Sequence, residues 1–137
     1  MASDGSIPAT PYALIGGEPA VRRLVHRFYE LMDTLPEAWT IRQLHPESLS
    51  GSEEKLFEYL SGWLGGPPLF ESRHGHPRLR ARHLAFPIAS RERDEWMLCM
   101  RQACTEVIQD VALRDRILQA LDGLADHMRN RREHPAG

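Results

Sequence analysis

Apolar residues in this chain recur at spacings of three and four along several separate stretches, the period that lines one face of an α-helix. Val21, Leu24, Val25, Phe28 and Met32 form the first stripe, with Tyr29 at its edge. Glu18-Pro19 ahead of it suits a first helical turn, where an acid meets the helix dipole and proline loses no needed N–H. Leu56, Phe57, Leu60, Trp63 and Leu64 form the second stripe, with Ser52 one turn before Leu56. Ser50-Gly51-Ser52-Glu53 has the form of a capping box for that helix, and Gly65-Gly66-Pro67-Pro68 stops it. Trp96, Met100, Ala103, Cys104, Val107 and Ile108 predict a long helix, with Ser90 as cap and Glu92, Asp94 and Glu95 in the opening turn. Ile117, Leu118, Leu121, Leu124, Ala125 and Met128 predict a last helix over about 111–131. Short helical turns are expected at 12–15 and 36–42, the second ended by His45-Pro46, and 69–76 reads as a loop. No stretch alternates with the period of a strand and no internal repeat is found, so the class is all-α.

Between two of these helices lies a very short one, opened by Pro77 and closed by Pro87. Within it Leu79, His83 and Phe86 share a face, while Arg78, Arg80 and Arg82 surround that face with cations. An imidazole on an apolar face beside arginines that can meet carboxylates suits a haem, with iron at its centre and propionates at its rim. The same residues also fit a hydrogen-bonded core histidine, which is the commoner use of a histidine in that setting.

A length of 137 residues allows one domain with one core: 11–133, between tails at 1–10 and 134–137. A formal charge of −2 gives no general attraction to nucleic acid or to an anionic membrane. The basic run from Arg73 to His83 has no aromatic or glycine-rich companion that would make it a nucleic-acid site. No apolar stretch has membrane-spanning length, and residues 1–11 lack the basic and apolar regions of a signal peptide. Cys99 and Cys104, five apart on one helix, point about 140° from each other, so they read as packed thiols of a reducing compartment. Without Cys-x-x-Cys-His, any haem is held non-covalently. These features predict a cytoplasmic protein.

Four markers in order add a resemblance. They are Gly16-Gly17, Gly65-Gly66-Pro67, the run Gly75-His76-Pro77-Arg78-Leu79-Arg80-x-Arg82-His83, and Glu92-Arg93-Asp94-x-Trp96-x-x-Cys99-Met100. Over about residues 11–131 the chain resembles the group II, or O-type, truncated haemoglobins. That resemblance implies a two-over-two helical sandwich around haem b, with His83 as proximal iron ligand. It implies a distal pocket of Tyr29, Trp96 and His45 as hydrogen-bond donors to O2, CO or NO. Ser52 leaves an opening there and Leu56 forms an apolar wall and gate. Lys55 and Arg82 are the implied propionate partners, with Arg80, Arg78 and His76 beside them, and Phe70 stands where some relatives carry a tyrosine. His26, His127 and His134 lack such a context. Several donors that retain O2 imply redox chemistry with a reductase, such as NO to nitrate or peroxide-linked oxidation, more than oxygen transport. The alternative is a non-enzymatic oxygen or sulfide binder, scavenger or sensor, as monomer or homodimer.

Overall fold

The structure, a computed structural model, describes residues 9–131; residues 1–8 of the tail expected at 1–10, and the whole tail expected at 134–137 with His134, lie outside them. Eight helices follow in order: α1 (Pro11–Ile15), α2 (Gly17–Thr34), α3 (Trp39–Gln43) behind a 3₁₀ turn at Pro36–Ala38, α4 (Ser50–Trp63), α5 (Leu69–His74), α6 (Leu79–His83), α7 (Ser90–Val107) and α8 (Val111–His127). No strand occurs among the described residues. Helix α2 packs against both α4 and α7, and α7 against α8, which is the expected all-α two-over-two sandwich. The stripes meet in one core: Leu24, Val25, Phe28 and Met32 from α2, Phe57 and Leu60 from α4, Met100 and Cys104 from α7, and Ile117 and Leu121 from α8 are all buried. Among the described residues no helix is long and apolar enough to cross a membrane.

The second glycine pair has a steric cause. The Gly65 backbone takes φ +97°, and a Cβ on Gly66 would collide with the Tyr12 ring, which lies flat against that backbone. Tyr12 N–H also donates to the Leu64 carbonyl at 2.9 Å, so α1 is docked on the end of α4 through this approach.

Several expected boundaries differ in the structure, some through local backbone geometry and some through partners remote in the chain. Ser50 is the first residue of α4 rather than its cap, which is Leu49. The Ser50 hydroxyl meets that of Ser48 at 3.0 Å. The Glu53 carboxylate turns to His26 Nδ1 at 3.2 Å, so no capping box closes. Residues 69–74 are helical, not loop: Pro67-Pro68, read as a stop for α4, also leads into α5, whose Phe70 is buried. Helix α6 begins after Arg78, not at Pro77, because Arg78 sits in the left-handed region at φ 45°. Its helical part ends at His83, before Pro87. Ala89 rather than Ser90 precedes α7, and its N–H donates to the Glu92 carboxylate at 2.8 Å. Helix α8 stops at His127 instead of about Arg131. There Arg80 Nη1 takes the carbonyls of His127 (2.7 Å) and Arg129 (3.0 Å), and the N–H groups of Asn130 and Arg131 donate to Ile88.

Candidate functional site

Short helix α6 presents His83 half-buried, and its Nδ1–H donates to the Leu79 carbonyl one turn earlier at 2.6 Å. In the neutral ring that bond places the proton on Nδ1 and leaves the lone pair on Nε2. From Gly75 to Ile88 only Ile88 is buried, and Leu84 and Phe86 expose about half of their surface (50% and 42%). The apolar face around His83 is therefore open to a ligand rather than closed by the core.

A chain of aromatic rings forms on the other elements. Phe28 packs edge-on against Tyr29 (centroids 4.9 Å apart) and against Trp96 (5.1 Å), and Tyr29 meets the His45 ring at 5.8 Å. Helix α2 supplies Phe28 and Tyr29, α7 supplies Trp96, and the turn after α3 supplies His45. The α3 turn is held to α7 by Glu95, whose carboxylate accepts from the Ile41 N–H at 2.8 Å. The structure thus brings together three of the residues singled out in the sequence.

Tyr29 is 6% exposed, and burial, with the nearby Glu53 charge, pushes its phenol pKa well above the usual range. It stays a neutral O–H donor at any working pH. The His45 pKa is lowered, chiefly by burial, with the charges of Arg42 and His83 adding to the effect and its backbone bond opposing it. Its Nδ1–H donates to the Ile41 carbonyl at 2.9 Å, so the neutral ring offers a lone pair at Nε2. With Nδ1 so engaged, His45 donates from Nε2 only as the protonated ring, which burial disfavours.

On α4, Ser52 and Leu56 are half-buried and one turn apart, while Lys55 is exposed. The Arg82 guanidinium lies over the Phe70 ring at 5.2 Å from its centroid, and Phe70 also meets His74 and Tyr59. Arg80 is committed to the end of α8, as described above. His76 Nδ1 accepts from the Arg78 N–H at 3.0 Å. His76, Arg78 and Arg80 line a cleft of about 630 Å³ with Tyr59, Trp63 and Leu79. That cleft adjoins α6 but His83 is not in its wall. A smaller groove of about 280 Å³ between α2 and α4, lined by Arg22, His26, Glu53 and Phe57, lies apart from His83.

Two polar groupings had no sequence signal. Glu58 on α4 is buried, and its carboxylate accepts from Arg73 Nη1 at 2.6 Å and meets His74 Nε2 at 2.7 Å, pinning α5 to α4. The Arg73 bond, and then His74, hold its pKa below the usual carboxylate value despite burial. Asn130, beyond α8, joins the segment that carries His83: Nδ2 donates to the His83 carbonyl at 2.9 Å and Oδ1 accepts from Ile88 N–H at 3.1 Å. Partners 47 and 42 residues away along the chain leave no trace in local periodicity.

Comparison with known proteins gives a consistent set of relatives. The family model described as bacterial-like globin matches residues 10–130. The group 2 truncated hemoglobin YjbI of Bacillus subtilis is 38% identical over 123 residues, 90% of each chain. A group II 2-on-2 hemoglobin structure from Agrobacterium tumefaciens is 53% identical with a TM-score of 0.90, covering 94% of this chain and 99% of that one. A structure of the truncated oxygen-avid haemoglobin from Bacillus subtilis is 38% identical with a TM-score of 0.81, covering 89% and 100%.

Proposed function

From the premise that this chain belongs to the bacterial-like globins, among the group II truncated haemoglobins, we propose that it holds haem b through His83 and binds O2, CO or NO beside Tyr29, His45 and Trp96. The observation that carries this reading is the 2.6 Å bond from His83 Nδ1 to the Leu79 carbonyl. Histidines that ligate metals almost always donate their other ring N–H in this way, which fixes the tautomer and raises the basicity of the ligating nitrogen. Among the described residues no three His, Cys, Asp or Glu side chains converge to hold a metal ion. A single imidazole on an open apolar face fits a metal that brings its own macrocycle. The surroundings fit as well: half-buried Leu56, Leu79 and Trp96 offer apolar contact, and Lys55 and Arg82 offer cations to propionates.

Bound haem supplies the iron that takes the diatomic ligand and the redox chemistry that follows. The chain's own residues set how long the ligand stays. Tyr29 donates from a phenol that burial keeps protonated, and the Trp96 indole can only donate. Neutral His45 accepts a hydrogen bond at Nε2 and so orients a neighbouring hydroxyl instead of adding a third N–H. Ser52 leaves room for entry and Leu56 narrows it. Aimed donors in a site shielded from water strengthen with the negative charge that oxygen acquires, which favours retention. The oxygen-avid description of the Bacillus subtilis structure is in line with retention.

Tight retention suits chemistry on the ligand better than delivery. The reaction classes are union of NO with O2 to give nitrate, with a reductase returning one electron, and peroxide-dependent oxidation of a donor. A reducing cytoplasm is the fitting location. Cys99 and Cys104 are both buried, and burial pushes their thiol pKa values up to about 11 and about 12, so neither is a reactive thiolate. The test is to produce the protein with haem supplied and record ferric, ferrous and CO spectra together with the O2 dissociation rate. Haem bands with slow O2 release are expected; protein that carries no haem absorbance overturns the proposal.

A further inference from the structure

The segment that carries His83 has few apolar anchors of its own, which raises the question of what orients the imidazole. Between Gly75 and Ile88 only Ile88 is buried, and α6 is five residues long. Its fixed points are hydrogen bonds to the chain just beyond α8. Asn130 N–H and Arg131 N–H donate to the Ile88 carbonyl at 2.8 and 3.1 Å, anchoring the downstream end. Arg80 Nη1 takes the carbonyls of His127 and Arg129, anchoring the upstream end. Between them the Asn130 side chain reaches His83 itself.

We infer that Asn130 is a positioning residue for the proximal ligand: its amide grips the His83 main-chain carbonyl and so sets the strain and direction with which the imidazole meets iron. The inference rests on the reading of His83 as the haem ligand. Both ends of the amide are used, Nδ2 on the His83 carbonyl at 2.9 Å and Oδ1 on the Ile88 N–H at 3.1 Å, and together they fix which way the amide faces. The same His83 carbonyl accepts from Phe86 N–H at 3.0 Å, which turns the chain out of α6. The His83 residue is thus held at two points, Nδ1 to Leu79 and the carbonyl to Asn130 and Phe86. A rigid second contact on a ligating residue is what holds a metal ligand in one orientation.

Asn130→Asp separates this role from folding. The aspartate keeps an acceptor for Ile88 N–H, and the two main-chain bonds to the Ile88 carbonyl need no side chain, so the turn stays attached. Only the donor to His83 is lost, and a carboxylate oxygen then faces that carbonyl. Two readouts apply. In ferrous haem-loaded protein, resonance Raman reports the iron–histidine stretch, which is expected to fall in Asn130→Asp and in Asn130→Ala as the Nδ1 bond to Leu79 loosens. In haem-free protein, amide exchange at Phe86 is expected to rise roughly tenfold, the scale of one net hydrogen bond. Arg27→Ala is the control, since its guanidinium pairs with Glu30 on α2 and Glu106 on α7 and has no bond to Asn130 or to the segment that carries His83. An unchanged stretch in both Asn130 variants overturns the positioning role while leaving His83 as ligand. Absence of any iron–histidine stretch in the unmodified protein overturns the ligand assignment and the inference with it.

Discussion

Removing one oxygen atom from Tyr29 gives a perturbation whose cost can be worked in advance. The ring is 6% exposed and packs against Phe28 and His45, and Tyr29→Phe keeps those contacts. Among the described residues no protein group takes the Tyr29 hydroxyl as a hydrogen-bond partner, so its deletion breaks no bond within the fold. Any loss therefore falls on the ligand. A hydrogen bond to a charged acceptor contributes about 1.5–3 kcal/mol. At about 1.4 kcal/mol per factor of ten, O2 should leave Tyr29→Phe on the order of tenfold to a hundredfold faster. The haem-free variant should melt close to the parent, because the fold loses no hydrogen bond with that hydroxyl. Stopped-flow displacement of O2 by CO measures the first and calorimetry the second. An unchanged off-rate in Tyr29→Phe, with the effect appearing in Trp96→Phe, would assign the bond to the indole and refute this reasoning. A drop in melting temperature would show that the phenol serves the fold.

Further tests reach other parts of the structure. The His45 pKa is depressed below the ordinary 6.5, so the unfolded chain binds more protons just below that pH; its contribution to stability should be flat above about 6.5 and fall as pH drops from there through the lower folded value, and ligand kinetics should change only at that lower value. His45→Phe should abolish that dependence, and a pH profile that persists in the variant removes His45 from it. Glu58 has its pKa held down by Arg73 and then His74, so its contribution is present above the ordinary 4.5 and lost as pH falls through the lower folded value. Glu58→Gln should cost about 1–2 kcal/mol by denaturant titration at pH 7, below the 3–5 of a fully buried pair because Arg73 is half exposed. Gly66→Ala should destabilise by about 1–3 kcal/mol through overpacking against Tyr12, and a neutral result would mean that α1 is not docked there.

Helical stripes were legible in the sequence because burial of one face imposes a period: Leu24, Phe28, Leu60, Met100 and Leu121 were all read as core and all are buried. Helix ends were less legible, since they depend on partners remote in the chain. Ser50-x-x-Glu53 satisfies the capping pattern, yet His26 outcompetes the backbone for Glu53. The residues after His127 keep helical composition, but their carbonyls and N–H groups go to Arg80 and Ile88. In the candidate site, residue types were readable and their hydrogen bonds were not. The bond to Leu79 that fixes the His83 tautomer, the bond to Ile41 that occupies the N–H of His45, and the grip of Asn130 all depend on folded geometry. Asn130 carries no motif at all, and only its position beside His83 in space reveals it.

The most direct measurement is haem affinity of His83→Gly with and without free imidazole, followed by absorption titration with haemin. The substitution removes the imidazole from a half-buried position on α6 and leaves the carbonyl that Asn130 holds. Weak, heterogeneous haem binding that millimolar imidazole restores to a spectrum like that of the parent is the predicted result. A variant that binds haem as tightly as the parent, with the same spectrum and no response to imidazole, would contradict the assignment of His83 as the ligand.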